Sequence, residues 1–223
     1  MMKYYSDTLA GHRLERCYEI APPRIIQYLK AELDFVKSYL KPSDTVLELG
    51  CGYGRILKEL QDSSLSVVAV DTSLESLFYG LNRYLDSHRI QLVQMDAKST
   101  AVRNNFFDAV VCIQNGISAF KIDPFVLVRE SLRITKPEGK CLFSTYSDKI
   151  WEDRLDWFRL QAEEELVGEL DWERTRRGTI VCKDGFVATT FSENDFHKIA
   201  HELRTECVTV EVDSSSLFGI YNA

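Results

Sequence analysis

Within a chain of 223 residues, the types and spacings able to do chemistry concentrate in VLELGCGYGR, residues 46–55. Gly50, Gly52 and Gly54 follow a short apolar run and precede a helical one. Glycines there let the backbone turn tightly and approach a ligand with no Cβ in the way. Twenty-one positions beyond Gly50, Asp71 closes the run VVAVD. An acidic side chain about 20 residues on suits hydrogen bonding to ribose hydroxyls across the switch point of a sheet. Two cofactor classes use such a loop. The dinucleotide form, G-x-G-x-x-G, would need glycine at position 55, where Arg55 stands. It also offers a helix N-terminus to a pyrophosphate, and Glu48 beside the loop would repel that group. A ligand carrying an ammonium and a sulfonium would not be repelled, so the loop reads as a site for a cationic nucleoside cofactor rather than NAD.

The elements around this loop follow from periodicity. APPRIIQYLKAELDFVKSYL (21–40) starts on two prolines and carries apolar residues at helical spacing. Beyond it, apolar runs alternate with helical ones: strands at 45–49, 66–70, 90–94, 108–113 and 140–146, and helices at 55–61, 74–85 and 125–134. Continuous apolar strands separated by helices indicate a parallel sheet covered on both faces. After 146 the pattern changes to an acidic helix (149–166) and a hairpin signal around Lys183-Asp184-Gly185. A helix then begins near Ser192 and Asp195, and CVTVEV and LFGIY suggest an antiparallel pair at the sheet edge. The expected fold is a single doubly wound α/β domain, 1–223, with a mostly parallel seven-stranded, Rossmann-like sheet and an antiparallel edge strand. An N-terminal helical arm (1–40) and a helix/β-hairpin insertion (151–191) flank it.

At this point VLELGCGYGR resembles the first motif of class I S-adenosylmethionine-dependent methyltransferases, and VVAVDTS resembles their acidic second motif. QMDA (94–97), FDAVVCIQNGISAF (107–120) and RITKPEGKCLFSTY (133–146) are similar to the later motifs and occur in the right order. The resemblance covers about 40–150. It implies S-adenosyl-L-methionine as cofactor and methyl transfer to a small-molecule acceptor by in-line displacement. Carried over, Glu48, Gly50, Cys51, Gly52 and Gly54 wrap the methionine half. Asp71 holds the ribose diol with Thr72 beside it, Asp96 faces the adenine amine, and the Ala97 backbone N–H meets the ring. Gln114 and Asn115 line the methyl-transfer mouth. Asp71 and Asp96 also have plainer readings, as a surface carboxylate and a turn cap.

Acceptor choice in this class falls to parts outside the sheet. Tyr4 and Tyr5 resemble lid tyrosines of small-molecule members; with Tyr18, and with Tyr146 at the end of the fifth strand, they form the expected lid and substrate group. Arg13 or Arg16 is expected near the mouth. The alternative is an arm that simply packs on the sheet edge. The insertion carries Trp151, Trp157 and Trp172 among many carboxylates, a face suited to a cationic amine or merely to solvent. IQNGI (113–117) is neither the Asp/Asn-Pro-Pro-Tyr of nucleobase and protein-amide methylators nor the Asp of catechol-type metal enzymes. No catalytic base is legible, and methyl transfer from a sulfonium needs none unless the acceptor atom arrives protonated.

Composition narrows the partners. Net charge is -7, the wrong sign for a phosphate-neutralising surface, so neither nucleic acid nor an anionic membrane is expected. The six cysteines form no CxxC, and no histidine completes a zinc spacing, so no metal is expected. Cys112, Cys141, Cys182 and Cys207 sit in apolar or alternating runs and read as small buried hydrophobes. The N-terminal stretch has no apolar segment of signal type, and no run is long enough to span a membrane, which points to the cytoplasm. The hairpin offers a strand edge for a homodimer contact. Two other readings remain: a non-catalytic cofactor-binding partner subunit and a NAD(P)-dependent oxidoreductase.

Overall fold

The computed structural model describes residues 4–84 and 87–223. The arm consists of α1 (Tyr4–Asp7), α2 (Gly11–Glu19) and α3 (Pro23–Tyr39). The body follows as β1 (Thr45–Leu49), α4 (Leu57–Asp62), β2 (Ser66–Asp71), α5 (Leu74–Leu81), β3 (Ile90–Gln94), β4 (Phe107–Cys112), α6 (Gly116–Ala119), α7 (Pro124–Ile134) and β5 (Thr135–Tyr146). The insertion holds α8 (Trp151–Glu163), β6 (Thr179–Val181) and β7 (Val187–Thr189). The chain closes with α9 (Glu193–Leu203), β8 (Cys207–Val212) and β9 (Ser216–Asn222).

The seven-stranded sheet runs β3-β2-β1-β4-β5-β9-β8. β1 to β5 are mutually parallel, while β9 is antiparallel to both β5 and β8. The antiparallel strand therefore lies one place in from the edge, and the hairpin-linked β8 forms the rim. Side chains alternate across the sheet with the two-residue period of a strand. Leu47, Leu49, Val110 and Cys112 face one layer, with Leu127 and Val128 of α7 and Ile199 of α9. Val46, Ala109 and Val111 face the other, with Val36 of α3, Leu57 and Leu60 of α4, and Leu77 of α5. Both faces are thus sealed by helices, the condition under which parallel strands read as unbroken apolar runs.

Local signals fix the helix starts. Ser73 caps α5 by accepting the Ser76 N–H at 3.2 Å. Asp123 caps α7 with Pro124 at the first helical position, and Ser192 and Asp195 complete a reciprocal capping box at α9. β5 begins five residues earlier than the periodicity predicts. Phe107 pairs with Thr135, and the ladder then slips so that Ala109 pairs with Lys140, which leaves Lys136–Gly139 as an irregular stretch inside the strand. The helix after β2 ends at Leu81, and Leu85, where periodicity ends it, is outside the described residues. The short α6 is absent from the sequence reading, since four residues carry no period.

The arm and the insertion share a second core. Leu9 and Cys17 of the arm pack with Trp151, Phe158, Ile180 and Phe186 of the insertion. The hairpin edge proposed for a dimer is occupied by the same chain: Leu170 bridges to Cys182, Asp171 N–H donates to the Val181 carbonyl at 2.8 Å, and Thr189 N–H donates to Ser118 Oγ at 3.0 Å. Among the described residues, all six cysteines are free thiols and all but Cys207 are buried. No helix among them is long and apolar enough to cross a membrane, and no group of His, Cys, Asp or Glu is arranged to hold a metal ion.

Candidate cofactor and acceptor site

The loop after β1 takes up the conformation its glycines allow. Gly50, Gly52 and Gly54 have φ of +71°, +54° and +81°, the left-handed region that costs other residues about 1–2 kcal/mol. Backbone N–H groups of Gly50 and Cys51 donate to the Val70 carbonyl at 2.8 and 3.1 Å, which bends the loop over the end of β2. Asp71 completes the fold of the loop: Oδ2 accepts the Gly52 N–H and Oδ1 the Ser73 N–H, both at 2.8 Å. Burial raises the Asp71 carboxyl, and the Ser73 and Gly52 donors oppose the rise. Each oxygen has a further lone pair to offer a hydroxyl.

Glu48 is the electrostatic centre of the site. It is buried, and its Oε2 has no hydrogen-bond partner among the described residues. Burial pushes its carboxyl up to about 8; Arg55 pulls the other way, and Asp71 and Glu59 add to the rise. A buried acidic group with an unmet oxygen beside a glycine cradle is the arrangement that a cationic ligand would complete. The residues present therefore fit an amino-acid-bearing sulfonium nucleoside.

The mouth is formed after β4. Gln114 and Asn115 both lie in the left-handed region, at φ +56° and +60°, so the chain reverses sharply there. The Gln114 N–H donates to Glu32 Oε2 at 3.1 Å and to Ser144 Oγ at 2.9 Å, and Thr145 Oγ1 donates to Asn115 Oδ1 at 2.7 Å. The Gln114 amide lies between the Tyr18 hydroxyl, 2.8 Å away, and the Arg55 guanidinium, with its oxygen toward the arginine. Arg55 in turn sits 4.8 Å over the Tyr18 ring. Tyr18, Leu14 and Arg55 thereby close the space over Glu48, Gly50 and Gln114 to a cavity of about 50 Å³. That volume holds a water or two and is far below that of a nucleoside.

The sequence-selected residues divide into three groups. Glu48, Gly50, Cys51, Gly52, Gln114 and Tyr18 line that cavity. Asp71 and Gly54 shape the loop from behind, and the Thr72 hydroxyl faces Ser6 of the arm at 3.3 Å. Asp96 and Ala97 lie beyond β3: Asp96 Oδ1 accepts the Lys98 N–H and Oδ2 pairs with Lys98 Nζ, both at 3.1 Å, so the turn-cap reading describes its geometry. The Ala97 side chain is in the core.

The remaining tyrosines lie in the packing of the arm against the insertion and β5. Tyr4 donates to Asp184 of the insertion, and Tyr4 and Tyr5 both pack edge-on against Phe186. Tyr146, at the carboxyl end of β5, stacks on Tyr28 of α3 with ring centroids 4.9 Å apart. Arg13 and Arg16 do not face the mouth. Arg13 donates to the carbonyls of Glu165 and Leu166, and Arg16 pairs with Glu164 at 3.0 Å. The tryptophan face expected for an amine is only partly present. Trp151 and Trp157 are buried, the Trp157 indole N–H donating to the Cys17 carbonyl at 2.8 Å. Exposed Trp172 is covered by Arg159, and Glu152, Asp156, Glu164, Glu169 and Asp171 each pair with a base of the same chain.

Two residues escaped the sequence reading. Glu32 is fully buried on α3, where helical periodicity shows only a polar position in an amphipathic run. Arg154 on α8 is fully buried as well and looks like any surface base of an acidic helix.

Residues 46–139 match the methyltransferase-domain family model. That segment is less than half of the chain; over it the strand order and the glycine loop agree with the fold of class I S-adenosylmethionine-dependent methyltransferases, and S-adenosylmethionine is the cofactor of that class. Among curated relatives, a demethylmenaquinone methyltransferase of Renibacterium salmoninarum is 35% identical over 106 residues, 48% of this chain and 43% of that protein. A malonyl-[acyl-carrier protein] O-methyltransferase of Marinomonas sp. is 30% identical over 133 residues, 57% of this chain and 47% of that one. The chain spans about half the length of the curated relatives it matches. In three dimensions it is similar to a SAM-dependent methyltransferase from Aquifex aeolicus, with a TM-score of 0.64 over 93% of this chain and 96% of that one, at 15% identity. That likeness is one of fold.

Proposed function

We propose that this protein transfers a methyl group from S-adenosylmethionine to a small-molecule acceptor. The observation that carries the reading is the unmet Glu48 oxygen beside the left-handed glycine loop, a site built for a cation and hostile to a diphosphate. When bound, S-adenosylmethionine supplies a methyl on a sulfonium, which passes to a nucleophile by in-line displacement. Glu48 receives the ammonium, the loop from Gly50 to Gly54 follows the methionine chain with Cys51 at its turn, and Asp71 accepts from the ribose diol next to Thr72. Asp96 and the Ala97 backbone flank the adenine. Gln114 and Asn115, held rigid by Glu32, Ser144 and Thr145, orient the acceptor at the mouth. Alignment and exclusion of water then supply much of the rate.

The arm acts as the lid in this reading. Tyr18 closes the cavity directly, while Tyr4, Tyr5 and Tyr146 border the acceptor side. The net charge of -7 supports a small acceptor over nucleic acid, and six free thiols suit a reducing cytoplasm. Calorimetric titration with S-adenosylmethionine, S-adenosylhomocysteine and NADH tests the site. Binding of the first two alone, weakened at least tenfold by Asp71→Ala, is expected; failure of both sulfur ligands to bind would overturn the proposal.

A further inference from the structure

Arg154 is wholly buried, yet no carboxylate among the described residues pairs with it. Its Nη2 donates to the Ala188 carbonyl at 3.3 Å, while Nε and Nη1 have no hydrogen-bond partner among the described residues. The guanidinium is instead ringed by aromatic faces: Tyr146 at 4.3 Å, Phe158 at 5.8 Å and Trp151 at 6.0 Å from its central carbon. Ring faces attract a cation, but they do not satisfy N–H donors. A second buried donor shares the same place. The Tyr28 hydroxyl, beside the Tyr146 ring, also makes no hydrogen bond of good geometry among the described residues, although the buried Glu32 carboxylate lies close to it. Burying an arginine charge without a counter-ion is strongly unfavourable, so a fold that keeps one there is incomplete as it stands.

Position ties this cluster to the mouth. Tyr146 ends β5, and the preceding Thr145 holds Asn115. Tyr18, which plugs the cofactor cavity, packs its ring 6.0 Å from Trp157 one turn along α8 from Arg154. Tyr5 of the arm is the third phenol near the guanidinium. Arg154 is thus linked to the cavity through Tyr18 and Trp157 on one side and through Tyr146, Thr145 and Asn115 on the other.

We infer that Arg154, with the Tyr28 hydroxyl, is the recognition site for a carboxylate carried by the methyl acceptor, an acid with an apolar or aromatic body that lies against Tyr146. The inference rests on the methyltransferase reading and names its substrate class. A carboxylate has the planar geometry to accept from two guanidinium nitrogens at once, and it supplies the missing charge. An amine acceptor is less well served, since Trp151 and Trp157 are buried and Asp156, Glu164, Glu169 and Asp171 pair within the chain. The arm covers the cluster, so the acid enters when the arm lifts.

The test titrates the protein saturated with S-adenosylhomocysteine with benzoate and phenylacetate, each against its neutral amide. At least one acid binding tenfold or more tighter than its amide is expected, with a further tenfold loss in Arg154→Met and partial recovery in Arg154→Lys. Tyr28→Phe, which keeps the ring and removes one donor, is expected to weaken the acid severalfold and leave the amide unchanged. Acid and amide binding equally, neither acid binding, or an Arg154→Met protein that binds the acid like wild type would overturn the inference. If Arg154→Met does not fold, the acid–amide difference in wild type and Tyr28→Phe decides. Failure of S-adenosylhomocysteine itself to bind would instead strike the methyltransferase reading.

Discussion

The carboxylate of Glu32 accepts the backbone N–H of Gln114 from 82 residues away, at 3.1 Å, and the Ser216 hydroxyl at 2.6 Å. One buried side chain on α3 thus fastens both the left-handed turn after β4 and the start of β9. Burial raises its carboxyl, while the Ser144, Ser216, Tyr28 and Gln114 neighbours oppose that rise.

Replacing Glu32 by alanine leaves the Gln114 N–H and the Ser216 hydroxyl without that acceptor. An unsatisfied buried donor costs about 1–3 kcal/mol, so a loss of about 2–4 kcal/mol in denaturant unfolding is expected for Glu32→Ala. Glu32→Gln, which keeps an acceptor, is expected to cost less. If urea melts of the alanine variant and wild type superimpose, the turn is held by Ser144 alone.

Glu48 gives the ligand-free protein a pH dependence. Its carboxyl rises from 4.5 in the unfolded chain to about 8 in the fold, so the folded state keeps a proton that the unfolded state releases. Stability from this group is full below about 4.5 and declines as pH rises toward 8. Glu48→Gln is therefore expected to flatten that decline and to melt higher than wild type at pH 8. Affinity for S-adenosylhomocysteine is expected to move oppositely, rising from pH 6 to 8 in wild type and falling at least tenfold in the variant. Thermal melts and titrations across that range check both; a glutamine variant that binds as well as wild type at pH 8 refutes the role of the charge.

Tyr18 stands over the cavity. Its ring lies between Arg55 and Trp157, and its hydroxyl meets Gln114. Tyr18→Ala is expected to speed association of S-adenosylhomocysteine severalfold and to speed its release more, so that equilibrium affinity falls. Stopped-flow tryptophan fluorescence resolves the two rates. Unchanged rates would mean that the arm opens as a rigid piece, without Tyr18 as its latch.

The sheet and the loop were legible because both are written locally. Apolar runs gave β1 to β4 almost to the residue, and the interval from Gly50 to Asp71 is fixed by one strand–helix–strand unit. Ser192 and Asp195 announced α9 through a capping pattern three residues wide. What escaped depends on contacts far apart in the chain. The slip between β4 and β5 is a property of two strands together. Glu32 and Arg154 are hydrophilic letters on amphipathic helices, and only the packing of α3, α8 and the arm takes them out of water. Asp96 matched its motif by order, and its contacts with the Lys98 N–H and Nζ are those of a local turn that the motif does not announce. Trp151 and Trp157 sit among carboxylates in the sequence, but their area made them core, as large aromatic side chains in a helix face usually are.

The joint core of arm and insertion has a consequence for how such a domain diversifies. Leu9 and Cys17 meet Phe158 and Phe186 across more than 130 positions, and Trp157 donates to the Cys17 carbonyl. Two stretches far apart in the chain therefore form a single cap. Exchanging either stretch alone between homologous scaffolds would leave an unmatched apolar half, whereas grafting both together would carry the joint core across intact.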